Sequence, residues 1–315
     1  MKVLVSGVAG DIGFCIGRIL KEWNFFENLH GVDISEDHPG SLIFDQVGVA
    51  PRANADNYLE WLTDYILTNQ IDLLIPTSEA EIFAISKNLS AIKSLCKVLI
   101  NDEVLIKNSL DKNKTLKYLN AAGIKVPTHG IVGIGDKPVQ YPVIVKPRRG
   151  QGSRGLRKIS TDSELIELTE GYVWQEYLTP DDEEYTCAVY VSKELKSRIL
   201  LLKRVLVGGY TGRAIVVKNI EIEEYVKQII EAWNVAGLYN IQLRLTNDGP
   251  KLFEINPRVS STVVFRDKLG FKDLKWWVLE TLGMELPNYE EVCAGTRIYR
   301  GNTEYIISAR NVSEE

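Results

Sequence analysis

An apolar run, Val143-Ile144-Val145, ends in Lys146-Pro147 and passes directly into Arg148-Arg149-Gly150-Gln151-Gly152-Ser153-Arg154-Gly155. A strand read from that run stops at Pro147, which cannot donate to a sheet ladder. The glycines that follow let backbone N–H groups close on a ligand's oxygen atoms without Cβ interference. Lys146 stands at the strand end beside this loop, where its ammonium reaches anionic groups as a point charge. A lysine between an apolar strand and a proline is hard to account for as solvated surface.

The chain on either side of this element reads differently. Residues 1–108 alternate strand and helix signals: strands at 2–6, 29–32, 71–76 and 97–100, helices at 14–23, 57–69 and 79–89. That rhythm implies a parallel sheet with helices on both faces. After a helix at 111–122, with Asp111 favouring its first turn, strands are expected at 141–146, 173–177, 184–191, 197–207, 213–217, 241–246 and 251–255, those from 184 onward antiparallel. Helices are expected at 161–169, 222–235 and 273–282, the last carrying Trp276 and Trp277, at least one of them core.

The second half holds the densest chemistry. Glu254 and Asn256 are two apart on a strand, so their side chains share a face. Gln242 lies on the preceding strand, before the turn Asn247-Asp248-Gly249, and an antiparallel hairpin brings it beside Glu254. Hard oxygen donors of this kind, few in number, suit Mg²⁺ or Mn²⁺ held jointly with phosphates. An ordinary Asn-Pro turn would leave Glu254, buried-looking, without a partner.

In order, the chain carries Asp111-Lys112; Val143 to Pro147 with its glycine-rich loop; Val173-Trp174-Gln175-Glu176-Tyr177-Leu178 followed by Glu184-Tyr185-Thr186; and Gln242 followed by Phe253-Glu254-Ile255-Asn256-Pro257-Arg258. In these segments the sequence resembles the ATP-grasp superfamily, and most nearly one unit of the large subunit of carbamoyl-phosphate synthetase. The resemblance implies an α/β, Rossmann-like pre-ATP-grasp domain of parallel sheet at 1–108. An α+β ATP-grasp domain of two lobes would follow, 109–177 with the phosphate lid and 178–315 with the metal site. It implies that ATP is bound by Lys112, Lys146 and the lid residues Gly150, Gly152, Ser153 and Gly155. Glu176 and Leu178 would receive adenine, Glu184 the ribose hydroxyls, and Gln242, Glu254 and Asn256 the metal. Arg258 would face the transferred phosphoryl group, with Lys146 neutralising charge beside it. Arg204 and Arg213 would hold phosphate or a substrate carboxylate. Read alone, Lys112 is a solvated helix charge and Glu183-Glu184 a solvated acidic turn.

One such unit, where the synthetase has two, points to an ATP-dependent carboxylate–amine ligase working through an acylphosphate. Its partners are then a small-molecule carboxylate and amine, with Thr77-Ser78-Glu79 contributing to acceptor choice and a homodimer kept open. A kinase-like relative ending at a phosphorylated product and an ATP-binding protein without turnover remain alternatives. So does a nicotinamide enzyme, because Gly7-x-x-Gly10-x-x-Gly13 lies between strand and helix with Asp33 about 20 residues on. Yet no tyrosine has a lysine four residues later, as a short-chain dehydrogenase requires. Basic residues number 37 against 42 acidic, so no surplus of positive charge favours nucleic acid. No run of about 18 apolar residues points to a membrane. Four scattered cysteines read as buried or inert thiols, and with no visible targeting segment the expected location is cytoplasmic.

Overall fold

The computed structural model describes the chain except residues 136, 151–154, 167, 169–170 and 302–315. The described residues divide into two compact units, 1–99 with 299–301, and Ile100–Ile298.

In the first unit the elements run β1 (Lys2–Ser6), α1 (Asp11–Trp23), β2 (Asn28–Asp33), a 3-10 turn (Pro39–Leu42), β3 (Gln46–Val49), α2 (Tyr58–Asn69), β4 (Leu73–Ile75), α3 (Glu79–Ser86), α4 (Leu89–Lys93) and β5 (Lys97–Val98). The sheet is parallel, in the order β3-β2-β1-β4-β5. The glycine loop is accounted for by backbone packing. Gly7 has φ +64°, and a Cβ on Gly13 would lie 2.4 Å from the Gly7 carbonyl oxygen. Asp33 accepts from the backbone N–H groups of Ala9 and Ile34, each at 2.8 Å. One of its oxygens therefore serves the glycine loop and the other the backbone of the next residue, which weakens the nicotinamide reading. Ser78 caps α3 in a reciprocal capping box with Glu81, and the Thr77 hydroxyl donates to the Ser6 carbonyl.

The second unit continues with α5 (Glu103–Ser109), α6 (Lys112–Ala121), β6 (His129–Ile131), β7 (Val143–Pro147), β8 (Arg157–Ile159), α7 (Asp162–Ile166), β9 (Tyr172–Glu176), β10 (Glu184–Val191), β11 (Ser197–Val207), β12 (Tyr210–Val216), α8 (Ile220–Trp233), β13 (Gly237–Thr246), β14 (Gly249–Asn256), α9 (Val263–Lys268), α10 (Asp273–Thr281) and β15 (Arg297–Tyr299). A four-stranded sheet has the order β6-β9-β7-β8, and a six-stranded sheet β14-β13-β10-β11-β12-β15. Their named pairings are antiparallel. The period of two on each strand separates core from site. Tyr185, Cys187, Val189, Tyr239, Ile241 and Leu243 pack under the α8 residues Ile222, Val226 and Ile229. Glu184, Thr186, Gln242, Glu254 and Asn256 are thereby left on the other face. On β7, Val143 and Val145 enter a smaller core with Trp174, which turns Lys146 to the opposite side.

Both Trp276 and Trp277 are buried. Cys15, Cys96 and Cys187 are buried free thiols, and Cys293 is an exposed one. Among the described residues no helix is long and apolar enough to cross a membrane.

Asn101, buried beside the start of β13, donates to the carbonyls of Leu238 at 2.7 Å and Pro257 at 2.8 Å. It also accepts from the Leu238 N–H at 2.9 Å. Gly237, at φ +144°, leaves it room, since a Cβ there would lie 1.9 Å from Asn101 Oδ1. Asn101→Ala strands three buried backbone groups. It is expected to lower stability by about 3 kcal/mol in urea unfolding, the cost of leaving such groups unpaired. A change below about 1 kcal/mol would mean that the backbone re-pairs.

Candidate active site

The site is built from four places in the second unit. Helix α6 begins at Lys112 because Asp111 caps it, accepting from the N–H groups of Asn113 and Lys114. The other carboxylate oxygen of Asp111 takes a 2.7 Å bond from Arg148, and the Lys112 N–H donates to the Arg148 carbonyl at 3.0 Å. Lys112 Nζ donates to the Gly150 carbonyl at 2.7 Å and lies 3.8 Å from Glu254 Oε1. The root of the glycine-rich loop is thus fastened to the start of α6. Gly150 and Gly155 have φ +115° and +76°, values that L side chains rarely adopt. Gly152 and Ser153 lie outside the described residues.

Lys146 is 6% exposed, and its Nζ donates to the Phe253 carbonyl at 2.7 Å. The bond ties the four-stranded sheet to β14. Burial pushes the ammonium's pKa down to about 8, Glu254 opposing that shift and Lys112 adding to it.

Register on the six-stranded sheet places Gln242 opposite Glu254 and Asn240 opposite Asn256, with a bulge after Gln242. Asn256 Oδ1 accepts from Arg258 Nη2 at 3.2 Å, and Arg258 Nη1 donates to the Val259 carbonyl at 3.0 Å. Arg204 bonds Glu184 Oε1 through Nε at 3.0 Å and Nη2 at 2.8 Å, and Gln242 Oε1 at 2.8 Å. Glu184 Oε2 accepts from Arg244 Nη2 at 2.7 Å. Arg244 also donates to the Leu178 carbonyl at 2.6 Å. Glu176 accepts from Lys251 Nζ at 2.8 Å and the Thr128 N–H at 3.1 Å.

Lys112, Lys146, Glu254, Gln242, Asn256, Arg258, Arg204 and Glu184 thus lie in one polar group, linked in part by hydrogen bonds and ion pairs and in part by strand register, with Leu178 joined to it through Arg244 and Glu176 held by Lys251. Arg213 is not brought to it. It is exposed and pairs with Val205, while Arg204 pairs with Ala214. Alternation puts Arg213 on the sheet face away from Arg204. Sequence reasoning did not find Arg244, Lys251, Arg148 or Asp111 as site partners. The available signal was position, since Arg244 is two residues from Gln242 and so shares its face.

Cations outnumber carboxylates in this group, which suits a polyanion. Among the described residues no cluster of three His, Cys, Asp or Glu side chains is arranged to hold a metal. The oxygen set of Glu254, Gln242 and Asn256, with a single carboxylate, instead fits a hard divalent cation shared with phosphate oxygens.

If Lys146 meets a nucleotide's phosphates, affinity should fall as pH rises through about 8, where its ammonium loses charge. The sign follows from a folded pKa below the usual lysine value: the charged form is full only below it. Calorimetric titrations with MgADP on either side of that pH check this. Lys146→Arg, always charged, should flatten the fall, and an unchanged slope in that variant would assign it elsewhere.

A family model described as an ATP-grasp domain matches residues 109–262. Among curated proteins, the coenzyme gamma-F420-2:alpha-L-glutamate ligase of Methanococcus maripaludis is 30% identical over 146 residues, 44% of this chain and 49% of that protein. The chain thus spans about half the length of that relative. Among solved structures, N5-carboxyaminoimidazole synthetase of Staphylococcus aureus complexed with ADP superposes with TM-score 0.72 at 19% identity, over 92% of this chain and 79% of that one. An L-amino acid ligase of Bacillus licheniformis gives TM-score 0.71 at 16% identity, over 89% and 73%. At these identities the structural likeness is one of fold.

Proposed function

We propose, proceeding from the ATP-grasp domain that this chain carries at residues 109–262, that the protein is an ATP-dependent ligase joining a carboxylate to an amine. The observation that carries the proposal is the convergence of Lys112 and Lys146 on Glu254, beside Gln242, Asn256 and Arg258 on one sheet face. Such a group neutralises triphosphate charge and offers no nucleophile of its own. That is what phosphoryl transfer to a bound carboxylate needs, where positioning and electrostatics do most of the catalysis.

In this reading Glu176 and the backbone at Leu178 receive adenine, and Glu184 the ribose hydroxyls. Lys112, Lys146 and Arg204 hold phosphates, with the glycine-rich loop over them. Gln242, Glu254 and Asn256 would hold Mg²⁺ or Mn²⁺, which supplies charge neutralisation at the phosphates when bound. A substrate carboxylate oxygen attacks the γ-phosphorus, the bond to the β-bridging oxygen breaks and ADP leaves. Arg258 faces the transferring phosphoryl group and stabilises its charge. The amine nitrogen then attacks the acyl carbon, phosphate leaves, and the nitrogen gives up a proton to form the amide. An amino acid supplies the amine or the carboxylate, the choice favoured by the glutamate ligase and the L-amino acid ligase among the similar proteins.

The test is ADP release from MgATP with paired panels of carboxylates and amino acids. The ligase reading expects release that requires both partners and a product with the mass of their amide. Release with the carboxylate alone, giving a stable phosphorylated product, would assign a kinase. Nucleotide binding without release under any pair would assign a sensor.

A further inference from the structure

We propose that Arg266 is a positioning residue for Arg258, acting through the turn at 259–262 and not by touching the nucleotide; the inference rests on the ligase reading above. Arg266 is 1% exposed and ranks among the largest fully buried side chains of the chain. Its Nε donates to Asp273 Oδ2 at 2.7 Å, and Asp273, itself 1% exposed, accepts the Leu274 N–H on its other oxygen at 3.0 Å. Nη1 donates to both Ser260 Oγ and Thr262 Oγ1 at 2.6 Å, and those two hydroxyls are 3.1 Å apart.

The turn so held begins at Val259, whose carbonyl accepts the 3.0 Å bond from Arg258 Nη1. The linkage therefore runs from α10 through Asp273 and Arg266 to the two hydroxyls, then along the turn to the Val259 carbonyl, one of the groups that hold the Arg258 guanidinium. On the near side, Asn101 holds the Pro257 carbonyl at 2.8 Å. Arg258 is flanked on both sides by buried, hydrogen-bonded anchors.

Two features separate this arrangement from ordinary packing. A buried ion pair adds little stability over apolar side chains of the same volume, so the role assigned to this one is the geometry it enforces. Thr262 is the N-cap residue of α9, yet its side chain makes no capping bond. Its hydroxyl is turned to Arg266 instead, which gives up a stabilising cap to fix the turn.

The experiment compares affinity for MgADP with affinity for MgADP plus aluminium fluoride, a mimic of the transferring phosphoryl group, by calorimetry. Wild type is expected to prefer the aluminium fluoride complex, and Arg258→Met to lose that preference. Arg266→Met and the double variant Ser260→Ala/Thr262→Val should reduce the preference by about tenfold or more, with MgADP affinity within about twofold of wild type. Arg266→Lys should fall between, keeping charge but not the fork. If the variants keep the wild-type preference, even with a lowered melting temperature, Arg266 is structural only and the inference fails. It fails too if wild type binds MgADP but shows no preference for the fluoride complex. Should Arg266→Met not fold, the double variant decides, since it leaves the Arg266–Asp273 pair intact. Wild type that binds no MgADP would overturn the ligase reading itself, a result visible before any variant is made.

Discussion

Glu254→Gln is expected to cut ATP turnover by on the order of 10²–10³-fold while leaving the fold intact, the scale seen when one preorganised electrostatic group is lost. Glu254 is the single carboxylate among three proposed metal donors, so the change removes the charge but keeps an oxygen in place. Folding should survive, because the strand pairing of β14 is made by the backbone and the side chain is only half-buried. The substitution should also be felt at Lys146. Glu254 is the charge that opposes the lowering of the Lys146 pKa. Without it that pKa falls further, and nucleotide affinity should weaken at a lower pH than in wild type. Turnover within a few-fold of wild type at saturating MgATP would remove Glu254 from the metal site.

The second large effect is expected at Lys146. Lys146→Met keeps most of the buried stem and removes the ammonium, so packing on β7 changes little. Losing one charged hydrogen-bond donor in a buried site weakens binding by about 10- to 100-fold. MgADP affinity should drop on that scale and lose its pH dependence near 8. Because Lys146 Nζ also bonds the Phe253 carbonyl, a modest loss of stability is expected with it. A drop in stability with unchanged affinity would make Lys146 a strut between the sheets.

Much of this site was legible because strand alternation and a short turn fix register. Glu184–Val191 and Ser197–Val207 were read to the residue, the first a run rich in β-branched and aromatic side chains and the second a long run of leucine, isoleucine and valine. The Asn247-Asp248-Gly249 turn set the hairpin that places Gln242 opposite Glu254, though the bulge after Gln242 left no sequence signal. Short elements were missed, among them β3, β6, β8, α5 and α9, where a few residues carry too little periodicity. The expected helix at 79–89 is two helices, broken at Asn88, whose φ of −126° and ψ of 25° leave the helical path. Helix α1 starts at Asp11, three residues before the expected Phe14, because Gly13 reads as part of the glycine loop; Gly17 lies within the expected helix. Both glycines lie where the helix packs closely, against Gly7 and Phe44. The partners of Asn101 and Lys251 were hidden for another reason, since they are 137 and 75 residues away in sequence. The placement of Arg213 came from resemblance, and alternation along β12 turns it to the other face.

The central claim is that a substrate carboxylate takes the γ-phosphoryl group of ATP. It is tested most directly by turning over a carboxylate labelled with ¹⁸O at both oxygens and examining the released inorganic phosphate by mass spectrometry. Attack of that oxygen on phosphorus, followed by displacement at the acyl carbon, leaves the labelled oxygen on phosphate. The account predicts one ¹⁸O in each phosphate formed. Unlabelled phosphate, or label in AMP, would contradict it.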